Sequence, residues 1–304
     1  MNPVLEWGIE FIAAVQQIGG ATGFTIAEFF TFLGNQEFYL LLFPLFFWSL
    51  DRAMGARLAI IYLLSVYGNT AVKDIIDQPR PYELAPAVAP PDPDAVYGGG
   101  HGMPSGHAQW SMTIWGMIAT WVRKPWFWAI AMSMTFLIGF SRIYLGVHFP
   151  TQVAAGWGLG LAVLALYIIF YSPVEQWLAG LNLTTQIAMA VLLPAVLMLT
   201  HPVPDIIAAM AVLAGFGVGL AIAEKHIPYT VQGSWAQRAS RYVVGIVVLL
   251  MIYFGLSAIF PGEGSALYVP LRIVRYTLVG AWISLGAPWL FTRAHLVQSH
   301  TQPV

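Results

Sequence analysis

The sequence predicts an all-α, polytopic integral membrane protein, and two observations carry that prediction. Of 304 residues, 58% are hydrophobic and only 9% charged, with a mean hydropathy of +0.71 and twelve tryptophans. A soluble domain carries about 25% charged residues. The apolar residues also fall into long runs separated by short polar turns, the pattern of helices that each need about 20 residues to cross a bilayer. A net charge of −1 argues against nucleic acid as a partner and leaves membrane lipids as the expected surroundings. The absence of cysteine excludes disulfides and thiolate metal sites. The start of the chain, MNPVLEWGIEF, lacks the basic region of a cleavable signal peptide.

In chain order, residues 4–18 and 24–33 form two short apolar segments separated by Gly19 to Gly23 and carrying Glu6, Glu10 and Glu28. Each is too short to span, so residues 1–36 read as interfacial or re-entrant helices. The first span covers residues 37–50, and its aromatic run (Phe38, Tyr39, Phe43, Phe46, Phe47, Trp48) is expected to face lipid and the interface. After a basic turn, residues 58–72 deliver Lys73. Residues 74–103 form a long polar loop that, with Pro104, holds seven prolines and four glycines. Proline excludes an α-helix through 86–94, so the loop lies outside the bilayer, placed to act as a lid. Glu83, Asp92 and Asp94 keep it in water. Seven further spans follow, near residues 106–122, 126–140, 151–170, 184–199, 204–223, 242–260 and 273–290. Residues 37–172 therefore read as a core and 173–304 as a transmembrane extension. Small residues such as Ala211, Ala214, Gly215, Gly217 and Gly219 suit close helix packing there. Widening a lipid-tail groove, forming a homo-oligomer contact and adding mass all stay open as uses of the extension.

Three blocks stand out. KDIIDQPRPY holds Lys73 and, after six residues, Arg80; GGGHGMPSGHAQW holds Ser105, Gly106 and His107; SRIYLGVHFP holds Arg142 and, after five residues, His148. Pro104 to His107 sits where a loop meets a helix, and the unpaired N–H groups of a helix N-terminus favour an anion. Read singly, each of the three cations is most simply a side chain snorkelling to headgroups. Counting spans puts all of these residues on one membrane face, a result the motifs do not guarantee. The opposite face and tail carry Arg52, Arg57, Arg123, Lys124, Lys225, Arg238, Arg241 and Arg293, eight of the thirteen cations. The positive-inside rule makes that face cytoplasmic, so the three blocks are expected to face the periplasm or exterior of a prokaryotic plasma membrane.

Together the blocks resemble the membrane-bound type-2 phosphatidic acid phosphatase superfamily, related to vanadium haloperoxidases. Its pattern is lysine, six residues, Arg-Pro; Pro-Ser-Gly-His; then Ser-Arg, five residues, histidine, three residues, aspartate. All elements but the last match over residues 73–152, about a quarter of the chain; Gln152 stands where the family has aspartate. The resemblance implies a lipid phosphatase in which Lys73, Arg80, Ser105, Gly106 and Arg142 hold the phosphate. It makes His148 the nucleophile that forms a phosphohistidine and His107 the acid that protonates the departing alcohol. No metal or other cofactor is implied, since the cations supply the positive charge. Gln152 can still accept a bond from His148, but it adds no compensating charge. Asp74 and Asp77 are alternative charge partners, and Gln152→Asp is expected to keep or raise activity. His101 is expected to be a solvated loop histidine.

Gly102 to Trp110, GMPSGHAQW, is similar to a dolichyl diphosphate phosphatase block, which implies a polyprenyl diphosphate substrate. KDIIDQPRP resembles sphingosine-1-phosphate phosphatases, which implies a phosphate monoester instead. Two other readings stay open: a serine hydrolase using Ser105 with His107 or His148, and a transporter or binder holding anionic headgroups without turnover.

Overall fold

The computed structural model describes residues 2–90, 100–227 and 229–297. Every regular element among them is helical. The opening segment is a single helix, α1 (Pro3–Phe32), started by the Asn2 side chain accepting from Val4 N and broken at Gly20, whose φ of +52° only glycine adopts without strain. The two short segments read from the sequence are the arms of this kinked helix. α2 (Gln36–Leu45) contains Pro44 and continues as a π-turn over Phe46–Leu50. A missing proline donor loosens the ladder and favours such irregular turns. Then come α3 (Arg52–Ile76), the single turn α4 (Pro81–Leu84), a 3₁₀ turn at Pro86–Val88, α5 (Gly106–Val122), α6 (Pro125–Tyr144) and α7 (Pro150–Ala179). The extension holds α8 (Leu183–Thr200), α9 (Pro204–His226), α10 (Trp235–Ile259), α11 (Tyr268–Ala281), a second π-turn at Trp282–Gly286 and α12 (Ala287–Arg293). Prolines 125, 150 and 204 each sit in the first turn of a helix, where a missing N–H costs nothing.

Six helices among the described residues are long and apolar enough to cross a membrane: those beginning at Arg52, Pro125, Pro150, Leu183, Pro204 and Trp235. The other three expected spans are helical too. Residues 36–50 are apolar but short, residues 106–122 form a 17-residue helix rich in polar and small side chains, and the last is broken by its π-turn and carries Arg272 and Arg275. The chain is an integral membrane protein. Of the expected lid, residues 91–99, with Asp92 and Asp94, lie outside the described residues.

The described chain forms two compact units, one of residues 1–39 and 68–171, the other of residues 40–67 and 172–304. In the first, α1 and α5 both pack against α6. Ile12, Ala108, Ile143, Phe149 and Val153 form the core beneath the three motif blocks. Gly146, at φ +69°, makes the tight turn between Arg142 and His148, and a Cβ there would run into Val88 O. In the second unit, α9 and α11 cross closely enough that a Cβ on Gly215 or Gly280 would strike the other helix's backbone. Aromatics expected at the lipid surface are instead core: Phe43, Phe46, Phe47 and Trp48 are all buried, with Trp48 Nε1 donating to Ile283 O at 2.9 Å. Tyr39, in the first unit, is buried as well. The helices of each unit enclose them.

Candidate active site

The site is assembled entirely within the first unit. α3 ends by presenting Lys73 in its last turn. Arg80, 2% exposed, starts the α4 turn, where Glu83 accepts from Arg80 N at 3.0 Å. Glu83 is therefore a cap and not simply a solvating charge of the loop. The guanidinium is aimed by two backbone carbonyls, donating through Nε to Gly100 O (2.9 Å) and through Nη1 to Val147 O (3.2 Å). Nη1 also lies 3.4 Å from His148 Nε2. Ser105 is the N-cap residue of α5 and Gly106 its first residue, while the buried Ser105 Oγ has no hydrogen-bond partner among the described residues. A buried hydroxyl without a partner costs free energy unless something fills its place, and an anion oxygen would.

His107, on the first turn of α5, meets Asn35 Oδ1 at 2.7 Å through Nε2. Arg142 is buried in the last turn of α6 and donates to Thr31 Oγ1 at 3.4 Å, and Thr31 also bonds the neighbouring Ser141 at 2.7 Å. His148 follows on the tight turn, its N–H and that of Val147 both returning to Arg142 O. The charges of Arg142, Arg80 and Lys73 act on both imidazoles. Burial pushes His148 well below its ordinary pKa of 6.5, and Arg80, Arg142 and Lys73 push the same way; the Gln152 bond opposes them.

Gln152, fully buried in the first turn of α7, accepts from His148 Nδ1 (3.0 Å) and Phe149 N (3.1 Å) through Oε1. Asp77 and Asp74 lie 2.6 and 4.0 Å from His101, so this partly exposed loop histidine has carboxylate neighbours. Sequence reading did not find Asn35, Thr31 or Gln78, because none lies in a recognisable spacing. Asn69 escaped it too; its amide donates to Gln109 Oε1 (2.6 Å) and Pro104 O (3.4 Å), fixing the turn that precedes Ser105. Among the described residues no cluster of three or more acidic or histidine side chains could hold a metal.

Residues 54–175 match the PAP2 superfamily, and residues 207–299 match the PAP2 superfamily phosphatase transmembrane extension. The chain carries a PAP2 domain followed by a PAP2 transmembrane extension. The PAP2 domain contains every residue singled out above except Thr31 and Asn35. Among curated relatives, sphingosine-1-phosphate phosphatase 1 of Mus musculus is 32% identical over 169 residues, 54% of this chain and 37% of that protein. The undecaprenyl-diphosphatase of Sulfolobus acidocaldarius is 28% identical over 128 residues, 41% of this chain and 60% of that protein. The chain spans 37 to 45% of the length of mouse and rat phosphatase 1 and human phosphatase 2. A crystal structure of a transmembrane PAP2-type phosphatidylglycerolphosphate phosphatase from Bacillus subtilis aligns with a TM-score of 0.49 and 26% identity, over 57% of this chain and 89% of that one.

Proposed function

We propose that this PAP2 protein is a lipid phosphatase that removes phosphate from a phosphate monoester or diphosphate of a membrane lipid through a phosphohistidine. The observation that carries the reading is the state of His148. Its Nδ1 is occupied by Gln152, its Nε2 lies toward the Arg80 guanidinium, and burial among cations keeps it neutral. A neutral, oriented imidazole beside fixed positive charge is a nucleophile for phosphorus.

In the first step the Nε2 lone pair forms the P–N bond as the P–O bond to the lipid breaks, and His107, which takes up a proton once the bound phosphate's negative charge offsets the surrounding cations, gives that proton to the departing oxygen. In the second step His107 takes a proton from water, the water oxygen attacks phosphorus, and the P–N electron pair returns to Nε2. Lys73, Arg80 and Arg142 balance the oxygens' charge throughout, with Ser105 Oγ and Gly106 N–H as donors. These groups supply the positive charge such a step needs, so a metal has no assigned part. Ser105 Oγ without a histidine partner speaks against the serine hydrolase.

The relatives point to two substrate classes, sphingosine phosphates and polyprenyl diphosphates. Phosphate release from sphingosine 1-phosphate, undecaprenyl diphosphate and phosphatidic acid, assayed on the full chain, tests the reading. His148→Ala should lose at least a thousandfold in kcat, because the covalent route disappears. Binding of all three lipids with no release by the unaltered chain would replace the phosphatase with a headgroup binder.

A further inference from the structure

Gln152 touches all three motif segments. Its backbone carbonyl accepts from Ser105 N at 3.0 Å. Its side-chain oxygen serves His148 and Phe149, and its side-chain nitrogen donates to Pro79 O (2.8 Å) and Gln78 Oε1 (2.9 Å). All four bonding positions of the amide are filled. Its orientation follows from chemistry, since Pro79 O can only accept and Phe149 N–H can only donate, so oxygen and nitrogen cannot be exchanged. Two consequences are forced. Gln78 must turn its oxygen to Gln152, and His148 must carry its proton on Nδ1, which leaves the Nε2 lone pair facing Arg80.

Gln78 is itself held in place. Its backbone carbonyl accepts from Gly102 N at 2.6 Å, and it precedes Arg80 by two residues. A Cβ on Gly102 would overlap the Gln152 amide, so the loop before Ser105 is built to let that amide through. Where the family pattern places a carboxylate, this chain therefore has a chain of neutral bonds running from Gln78 through Gln152 to His148.

We propose that Gln78 is a positioning residue for the reaction: acting through Gln152, it fixes the His148 tautomer and ties the nucleophile to the segment that carries Arg80. The proposal rests on the phosphatase reading of the site. It also reverses what the sequence alone suggests for Gln152→Asp. A carboxylate at 152 would set an oxygen against Pro79 O, would force Gln78 to turn from acceptor to donor, and would be one methylene short. The two-residue relay is thus a unit, and changing one end to the family residue breaks it.

The test uses the full chain, purified and ¹⁵N-labelled at its seven histidines, with His148 signals identified by their loss in His148→Ala. The unaltered chain should show a neutral, Nδ1-protonated His148. Gln78→Glu, which keeps an acceptor oxygen, should preserve that signature; Gln78→Leu and Gln152→Asp should give mixed tautomers. An Nε2-protonated His148 in the unaltered chain overturns the proposal whatever the activity. In turnover, Gln78→Leu and Gln152→Ala should each lower kcat about tenfold to a hundredfold, Gln78→Glu should stay within about threefold, and the double variant should be no worse than the worse single, because both cut one relay. Additive losses, or Gln152→Asp at or above the unaltered rate, sink it. A chain that shows the Nδ1 tautomer but releases no phosphate counts against the phosphatase, not against the relay.

Discussion

At the scale of single residues, His148 governs the expected response to pH. Its folded-state pKa is depressed, first by burial and then by Arg80, Arg142 and Lys73. The unfolded chain therefore takes up a proton at about 6.5 that the folded chain refuses, so this site's contribution to stability is complete above that pH and declines below it. For the reaction the same shift is favourable, because the nucleophile stays neutral into mildly acid solution. The acid limb of kcat/KM, which reports free-enzyme groups, should fall below pH 6.5. Gln152→Glu should move it upward by placing a carboxylate beside Nδ1, and an acid limb above 6.5 in the unaltered chain would contradict the buried, cation-flanked environment. The motif residues themselves were legible through the family resemblance, whose spacing pattern picks out Lys73, Arg80, Ser105, His107, Arg142 and His148. What holds them was not. Gln78 and Asn35 act through side chains that approach from segments 74 and 72 residues away, and no periodicity reports such contacts.

Among the elements, α1 departs furthest from its sequence reading. Short, glutamate-bearing segments suggest something peripheral, yet this helix supplies Thr31 to Arg142, and the turn after it supplies Asn35 to His107. Composition marked a break at the glycines between two separate segments, but not that it is a kink within one helix or what that kink grips. Tyr144, two residues after Arg142, donates to Gly20 O (3.0 Å) and Gln16 O (3.3 Å), while Gln16 Nε2 donates to Tyr144 O (2.8 Å) and Val88 O (3.1 Å). The break exposes carbonyls that a regular helix would use internally, and Tyr144 satisfies them. Tyr144→Phe should cost about 1 kcal/mol, readable as a few degrees in Tm. Asn35→Ala should leave Tm nearly unchanged and lower kcat about tenfold or more, since an acid that is free to rotate protonates its leaving group less often. Equal kcat in Asn35→Ala and the unaltered chain would mean that the His107 contact is idle in turnover.

For the whole molecule the open quantity is orientation, and several geometric facts bear on it. α5 runs 17 residues from Ser105 to Arg123, about 26 Å at 1.5 Å per residue, so the site and the Arg123–Lys124 pair lie at opposite ends of one helix. α6 returns over 20 residues and brings Arg142 back to the site end. In the second unit, cations counted to the cytoplasmic face from sequence do gather: Arg52 pairs with Glu224 at 3.1 Å, and both Arg52 and Arg241 lie over the Tyr229 ring. Within the first unit, α5 and α6 thus put Ser105 and Arg142 at one helix end and Arg123 and Lys124 at the other. The sequence count puts eight cations on the face opposite the site, and on that count the positive-inside rule turns the site outward. The chain contains no cysteine, so single cysteines report sidedness without background. Ile75→Cys, at a position 82% exposed just past Lys73, should react with a membrane-impermeant maleimide on intact cells. Lys124→Cys should react only after permeabilisation. The reverse pattern would turn the site toward the cytoplasm and confine its substrates to lipid phosphates of the inner leaflet, and labelling of both from outside would mean that α5 does not cross the membrane at all.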